Sequence, residues 1–294
     1  MSGSNSQRGS TFRSALATFC ACAIVIGVPL FSLRQYSHFI NIDHRSSAPL
    51  APLQARKQDR NSSPYHLFQE PLISVTFDDG WEVTYTDAMP LLQKYGIHTT
   101  QYILSGVEKD QKYLSWNQVR AIHDAGHEIG CHGKSHPDLR LLNDTDLTEQ
   151  VHGCKQELAK RFGMVTSFAS PYGAFDTRTL AKISTDFSSQ RNTNGDSSNG
   201  VTEDDVNLKE GFNQFNITGM TIKNDTPLSE IQSLIDYTVA HNGWLVLTYH
   251  QADDGSAKYG INTEDLAAQL QVINRAPARV VTIDQAIRSR STVK

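Results

Sequence analysis

Leu72-Ile73-Ser74-Val75-Thr76-Phe77-Asp78-Asp79-Gly80 is the stretch on which the fold depends. An apolar, β-favouring run ends abruptly in two carboxylates and a glycine, as a buried strand would if it delivered charged groups at its carboxyl end. Asp and Gly dominate turns for conformational reasons, so Asp-Asp-Gly alone also fits an ordinary turn. Adjacent carboxylates repel, however, and each disfavours ionisation of the other unless a positive charge sits beside them. A divalent ion supplies such a charge. One carboxylate can then bind the ion while its neighbour takes a proton from the hydrolytic water.

Downstream, His127-Glu128-Ile129-Gly130-Cys131 reads as a second short strand, followed by His132-Gly133-Lys134-Ser135-His136-Pro137. Histidines four apart usually share a helix face. Here Pro137 disfavours helical geometry at His136 and Gly133 lies between the rings, so the pair is predicted on a loop at the strand's carboxyl end. One of the two aspartates together with these two histidines would make a candidate metal set with one position left open for water. Exposed loop histidines are the plainer alternative. Two further strand ends carry polar or aromatic groups: Val165-Thr166-Ser167 leads into Phe168-Ala169-Ser170-Pro171-Tyr172-Gly173, and Leu245-Val246-Leu247-Thr248-Tyr249 ends in His250.

With these four segments in this order, the chain from about Leu72 to Ile287 resembles the polysaccharide deacetylases, the carbohydrate esterase family that shares the chitooligosaccharide deacetylase homology domain. The resemblance implies a metal-dependent hydrolase that removes N-acetyl groups from an N-acetylhexosamine polysaccharide: chitin-like, poly-N-acetylglucosamine or peptidoglycan. It implies Asp78 as general base, and Asp79, His132 and His136 as ligands of a divalent ion, zinc first, with cobalt or nickel able to replace it. His250 would protonate the departing amine, and Tyr172 would offer its backbone N–H to the oxyanion. Pro171, Arg191 and Leu247 are the expected substrate contacts, Leu247 against the acetyl methyl.

The chain departs from the family in two places. The arginine that in these enzymes pairs with the catalytic aspartate is replaced by Ala169, and no Asp-Trp motif is recognisable ahead of His250. Arg191, emerging after the strand-like Phe187–Gln190, is the candidate substitute. The same residues would also serve another amide or an acetyl ester such as acetylxylan. A catalytically silent carbohydrate-binding barrel would be expected to have lost the base or a ligand, and neither is lost.

The rest of the chain suits one domain behind an anchor. At 294 residues, 38% hydrophobic and 20% charged, it can bury a full core. The net charge of −4, from 27 basic against 31 acidic residues without a basic block, argues against nucleic acid as a partner. After a tail over 1–13, residues 14–33 hold no charge between Arg13 and Arg34 and are long enough to cross a bilayer. They read as a transmembrane anchor. Cleavage at Ala21-Cys22-Ala23 would make them a signal peptide and the protein secreted, but would leave apolar Ile24–Phe31 at the new terminus. Residues 34–70 read as a linker and 71–294 as the catalytic domain, placed outside the cytoplasm, periplasmic or extracellular, because the implied substrate is there. Cys131 and Cys154 are either a disulfide or buried thiols. Nothing in the sequence speaks to oligomeric state.

From residue 71 strands and helices alternate, which predicts α/β architecture with a parallel sheet. The resemblance makes this a distorted (β/α) barrel. Strands are expected at Leu72–Phe77, Thr99–Leu104, Glu128–Cys131, Thr166–Ala169, Trp244–Tyr249 and Arg279–Ile283. Helices are expected near Thr84–Tyr95 and over Trp116–Ala125, Asp146–Phe162, Pro227–His241 and Glu264–Arg275. Ser115 with Gln118 makes a candidate capping box, and Thr226 a candidate N-cap. Ser188–Asp205 is a long connection in which Arg191 and Asn194 could meet sugar hydroxyls. Trp116 and Trp244 suit the core, and Trp81 a groove.

Overall fold

The computed structural model describes residues 68–107, 109–208 and 212–290. The predicted anchor at 14–33 lies outside them. Among the described residues no helix is long and apolar enough to cross a membrane.

Strand β1 (Leu72–Phe77) is buried along its whole length, on both faces. It leads through a π-helical turn, Thr84–Ala88, into α1 (Met89–Tyr95) and then β2 (Thr100–Ile103). Next come α2 (Trp116–Asp124), with the Ser115/Gln118 capping box, and β3 (Glu128–Cys131). The predicted helix 146–162 starts earlier, at α3 (Asp144–Thr148), because Asn143 caps it; a π-helical segment, Glu149–Gly153, separates it from α4 (Cys154–Phe162). Then follow β4 (Ser167–Ala169), α5 (Thr177–Asp186) and β5 (Ser189–Arg191). After a long irregular passage come β6 (Met220–Thr221), α6 (Leu228–His241) and β7 (Trp244–Tyr249). The chain closes with β8 (Gln251–Asp253), β9 (Gly260–Asn262), α7 (Thr263–Arg275), β10 (Arg279–Val280) and α8 (Ile283–Ser289).

The strands of the main sheet run in the order β5-β4-β3-β2-β1-β7-β6, with β10 also against β1, and every ladder is parallel. The ladders alone make a curved half-barrel. Its two edges are linked by backbone bonds: Ile217 donates to Gln190 at 3.0 Å, Asn192 donates to Ile217 at 2.9 Å, and Gly195 donates to Gly219 at 3.3 Å. A parallel sheet puts all carboxyl ends on one side, so the loops after β1, β3, β4, β5 and β7 meet at one mouth.

Alternation along β1 and β7 divides the core. Ile73, Val75, Phe77, Leu245, Leu247 and Tyr249 pack outward with helix residues such as Leu92, Leu234 and Leu270. Leu72, Trp244 and Val246 pack inward with Phe68 and Tyr102. Phe68 is buried edge-on to Trp244 at 5.7 Å, so packing begins within the predicted linker, ahead of residue 71.

Three local expectations are corrected. Thr226 does not cap α6: Pro227 holds the N-cap position, and Thr226 Oγ1 instead accepts from the Lys223 N–H at 2.9 Å. The strand expected over 279–283 stops at Val280, because Thr282 and Gln285 form a capping box that starts α8. The 188–205 connection contains β5. Helix α5, with Asp176 and Thr179 as its own box, is an element the periodicity did not reveal.

At the amino ends of the strands Glu128 ties several elements together. It accepts from Thr100 Oγ1 (2.8 Å), Ser167 Oγ (2.6 Å) and the Asp284 N–H (2.9 Å), thereby joining β2, β3, β4 and α8. Beside it, His127 Nδ1 accepts the Thr99 N–H at 3.1 Å. Protonating that nitrogen would break the bond. Burial, together with the neighbouring His98, pushes the His127 pKa down to about 4. The neutral ring therefore contributes its stability in full above the ordinary value of 6.5, and the contribution is lost as pH falls towards about 4. His127→Asn, which keeps an acceptor for Thr99, should flatten the loss of stability across that window in urea unfolding. An unchanged slope would exclude His127 as its source.

Candidate metal centre and active site

Asp78 and Asp79 leave β1 in different backbone conformations. Asp79 has φ 70°, a left-handed value rare outside glycine. Its Oδ2 accepts the Trp81 indole N–H at 3.0 Å, and the Trp81 ring stacks on Tyr113 at 4.8 Å. Oδ1 remains, 3.5 Å from His132 Nε2 and 3.5 Å from His136 Nε2. His132 Nδ1 lies 2.8 Å from the Ala169 carbonyl. A carbonyl can only accept, so Nδ1 carries a proton, and in the neutral ring this leaves the lone pair on Nε2, the arrangement a ligating histidine requires. One donor atom each from Asp79, His132 and His136 lies within 4.8 Å of the others, and this donor set fits a divalent ion.

Asp78 is buried beside this cluster, with Oδ2 4.0 Å from His132 Nε2. Its partner is Arg191, whose Nη2 reaches the two carboxylate oxygens at 2.6 and 2.5 Å. Arg191 is 0% exposed, lies over the Tyr102 ring at 5.1 Å and donates from Nη1 to the Asn192 carbonyl at 3.0 Å. In the sheet register Arg191 is the direct partner of Ala169. The arginine the resemblance implies at Ala169 is thus supplied from the same level of the adjacent strand. Space for it comes from Gly219, where a Cβ would come within 2.9 Å of Arg191 Cδ.

The charges work against burial. Burial pushes Asp79 up, but the hydrogen bond and charge of His132, with His250 and His136, hold it well below the usual carboxylate range. Burial pushes His132 down, yet Asp78 and Asp79 outweigh it and raise its pKa. For His136 and His250 burial prevails and both stay below the ordinary imidazole value.

The remaining candidates are placed unequally. Tyr172, with φ 60°, is 67% exposed and sets its ring 4.4 Å from that of His136. Pro171 is buried at the start of this turn, so it carries Tyr172 rather than offering substrate a surface. His250 follows β7 at the same mouth. Its Nδ1 is buried without a partner among the described residues, and its ring lies 5.3 Å from Tyr259. Leu247 is corrected: side chains on a strand alternate, and Leu247 faces the helical layer, fully buried. The neighbouring Thr248 points inward, where its Oγ1 accepts from Thr76 at 3.3 Å.

Trp81 and Tyr259 are parts of the site whose roles the sequence did not disclose. The Asp79-x-Trp81 spacing was a usable signal for the first, since a turn brings an indole back to a carboxylate two residues earlier. Nothing local marked Tyr259, which the β8–β9 excursion carries back over His250.

The carboxyl mouth of the parallel sheet thus holds an Asp/His/His cluster whose donors could hold a metal ion, beside a buried Asp–Arg pair. Residues 68–186 match the polysaccharide deacetylase family model. The chain is 27% identical to a peptidoglycan-N-acetylglucosamine deacetylase of Bacillus cereus over 49% of its own length and 58% of the relative's. It is 31% identical to a chitin deacetylase of a Pestalotiopsis species over 37% of its own length and 36% of the relative's. These matches span well short of the full length of either relative. A family 4 carbohydrate esterase from Bacillus anthracis shares the fold, with a TM-score of 0.51 at 21% identity, over 76% of this chain and 86% of that one.

Removing one partner of a buried ion pair typically costs about 3–5 kcal/mol. Arg191→Ala should lose stability on that scale in chemical denaturation. Ala169→Arg added to it should recover part of the loss, because the two positions share a register. A double variant no more stable than Arg191→Ala would show that the positions are not equivalent.

Proposed function

We propose that this chain is a metal-dependent deacetylase of an N-acetylhexosamine polysaccharide, chitin-like, poly-N-acetylglucosamine or peptidoglycan. The observation that carries the reading is the buried Asp78–Arg191 pair set directly beside the converging donors of Asp79, His132 and His136. A bound divalent ion, zinc first, with cobalt or nickel as substitutes, supplies Lewis-acid polarisation of the acyl carbonyl and the attacking water.

The chain's own residues do the rest. Asp78 accepts the proton of the water, and Arg191 holds that carboxylate in place. The Tyr172 N–H faces the developing oxyanion, and His250 delivers a proton to the leaving group. The exposed Tyr172 and Tyr259 rings offer apolar faces for sugars on either side. The relatives named for chitin and peptidoglycan deacetylation support this substrate class. The Cys131–Cys154 disulfide suits an oxidising compartment, which supports a location outside the cytoplasm, with residues 14–33 as the membrane anchor.

One observation favours a second reading, hydrolysis of acetyl esters such as acetylxylan. His250 Nδ1 has no partner among the described residues to raise its basicity. An amine must be protonated to leave, whereas an alkoxide is a better leaving group and depends less on a strong proton donor.

The test measures acetate released from N-acetylglucosamine oligomers, peptidoglycan fragments and acetylxylan by the zinc-loaded protein, side by side. The amide substrates should be turned over faster and a chelator should stop the reaction. Turnover of acetylxylan alone would establish the second reading, and no acetate from any substrate would overturn both. Asp78→Asn should keep zinc and lose about 100-fold or more in kcat. Asp79→Asn and His136→Ala should lose zinc itself, measured as metal per chain. The opposite pattern would reverse the two aspartates' roles.

A further inference from the structure

His132 and His136 are separated by Gly133, Lys134 and Ser135, and the backbone of that loop is held from two sides. The Ser105 and Gly106 N–H groups donate to the carbonyls of Gly133 (3.0 Å) and Lys134 (2.9 Å). From the other side a single side chain takes the amides. Gln150 Oε1 accepts the N–H of Lys134 at 2.8 Å and of Ser135 at 3.1 Å, and Gln150 Nε2 donates to Ser135 Oγ at 3.0 Å.

Gln150 lies in the π-helical segment Glu149–Gly153. Its neighbours hold the same loop: Glu149 pairs with Lys134, and Cys154, immediately after the segment, is bonded to Cys131, which precedes His132. In an α-helix, residues five apart point well away from each other; a turn closed from i to i+5 stacks them. The wide turn is what brings Glu149 and Cys154 to bear on one loop, with Gln150 between them. Gly133, at φ +81°, is where the clamp comes closest, since a Cβ there would lie 3.2 Å from Gln150 Oε1. His136, at φ 62°, is kept in a conformation that persists only where its surroundings dictate it.

We infer that Gln150 is a positioning residue of the metal centre, fixing the 133–135 loop so that both imidazoles face Asp79. For the ion the inference rests on the proposed function; for the clamp it rests on geometry alone. The experiment therefore has two readouts on the full chain: hydrogen exchange at the Lys134 and Ser135 amides without metal, and zinc affinity by competition with a chromophoric chelator.

Gln150→Met keeps the volume and removes all three bonds. It should speed exchange at both amides and weaken zinc binding by about 10–100-fold, the usual cost of losing an outer-shell partner. Gln150→Glu, which still accepts from both amides, should stay within about threefold of wild type in affinity, a difference of under 1 kcal/mol. If Gln150→Met fails to fold, Gln150→Asn, too short to reach the amides, replaces it with the same expected outcomes. Unchanged exchange, unchanged affinity, or a Glu variant as weak as Met would each overturn the inference. A wild-type chain that binds no zinc would overturn the proposed function, while exchange would still decide the clamp.

Discussion

The site depends on a carboxylate and a guanidinium paired where water is scarce. Asp78 is 2% exposed, and an ionised group at such depth is tolerated only when paired and hydrogen-bonded. Arg191 meets that condition with contacts to both oxygens; its Nη1 donates to the Asn192 carbonyl and the guanidinium lies over the Tyr102 ring, while Nε is buried without a partner among the described residues. Much of the local architecture follows from accommodating this pair. Gly219 lacks a side chain because Arg191 Cδ occupies the space, and the 217–221 segment that carries it also joins the sheet edges. The ion pair and the curvature of the sheet are therefore parts of one constraint.

Around this fixed pair, three of the groups with expected chemical roles sit on strained backbone. Asp79, His136 and Tyr172 all have positive φ, and of the non-glycine residues described only Asn242, at the end of α6, joins them. A left-handed residue reverses the chain sharply, letting a short loop return its side chain over the strand end it has just left. Each such residue costs stability that the surrounding bonds must offset. The Trp81 indole and the Gln150 amide have that function, and so does the Cys131–Cys154 bond, worth about 3 kcal/mol for a loop of this size.

How much of this could be read in the sequence follows from the range of the forces involved. Buried strands such as Leu72–Phe77 and Trp244–Tyr249 announce themselves by unbroken apolar runs, and the metal set by residue type at a strand end. Features fixed by a partner remote in sequence were less legible. That Leu247 faces outward and Thr248 inward follows from the parity of the strand, which a both-sides-buried run conceals because neither face is polar. The Val-Val-Thr-Ile content of 280–283 favours a strand, but the Thr282/Gln285 box starts a helix there instead. Arg191 could be singled out as a candidate because it followed a short β-like stretch, but its pairing with Ala169 across β4 and β5 exists only in the folded register.

That register bears on how such chains are compared with their relatives. An arginine that moves from one strand to the facing position of the next leaves the cavity's charge unchanged while vacating its column in any alignment. Scored column by column, a chain with alanine there would look like an enzyme that has lost its chemistry. Scored by what projects to one level of the barrel wall, it has the same complement of charge from a different address. For parallel sheets, where neighbours at equal height face the same cavity, competence is better judged by rings of residues than by positions along the chain.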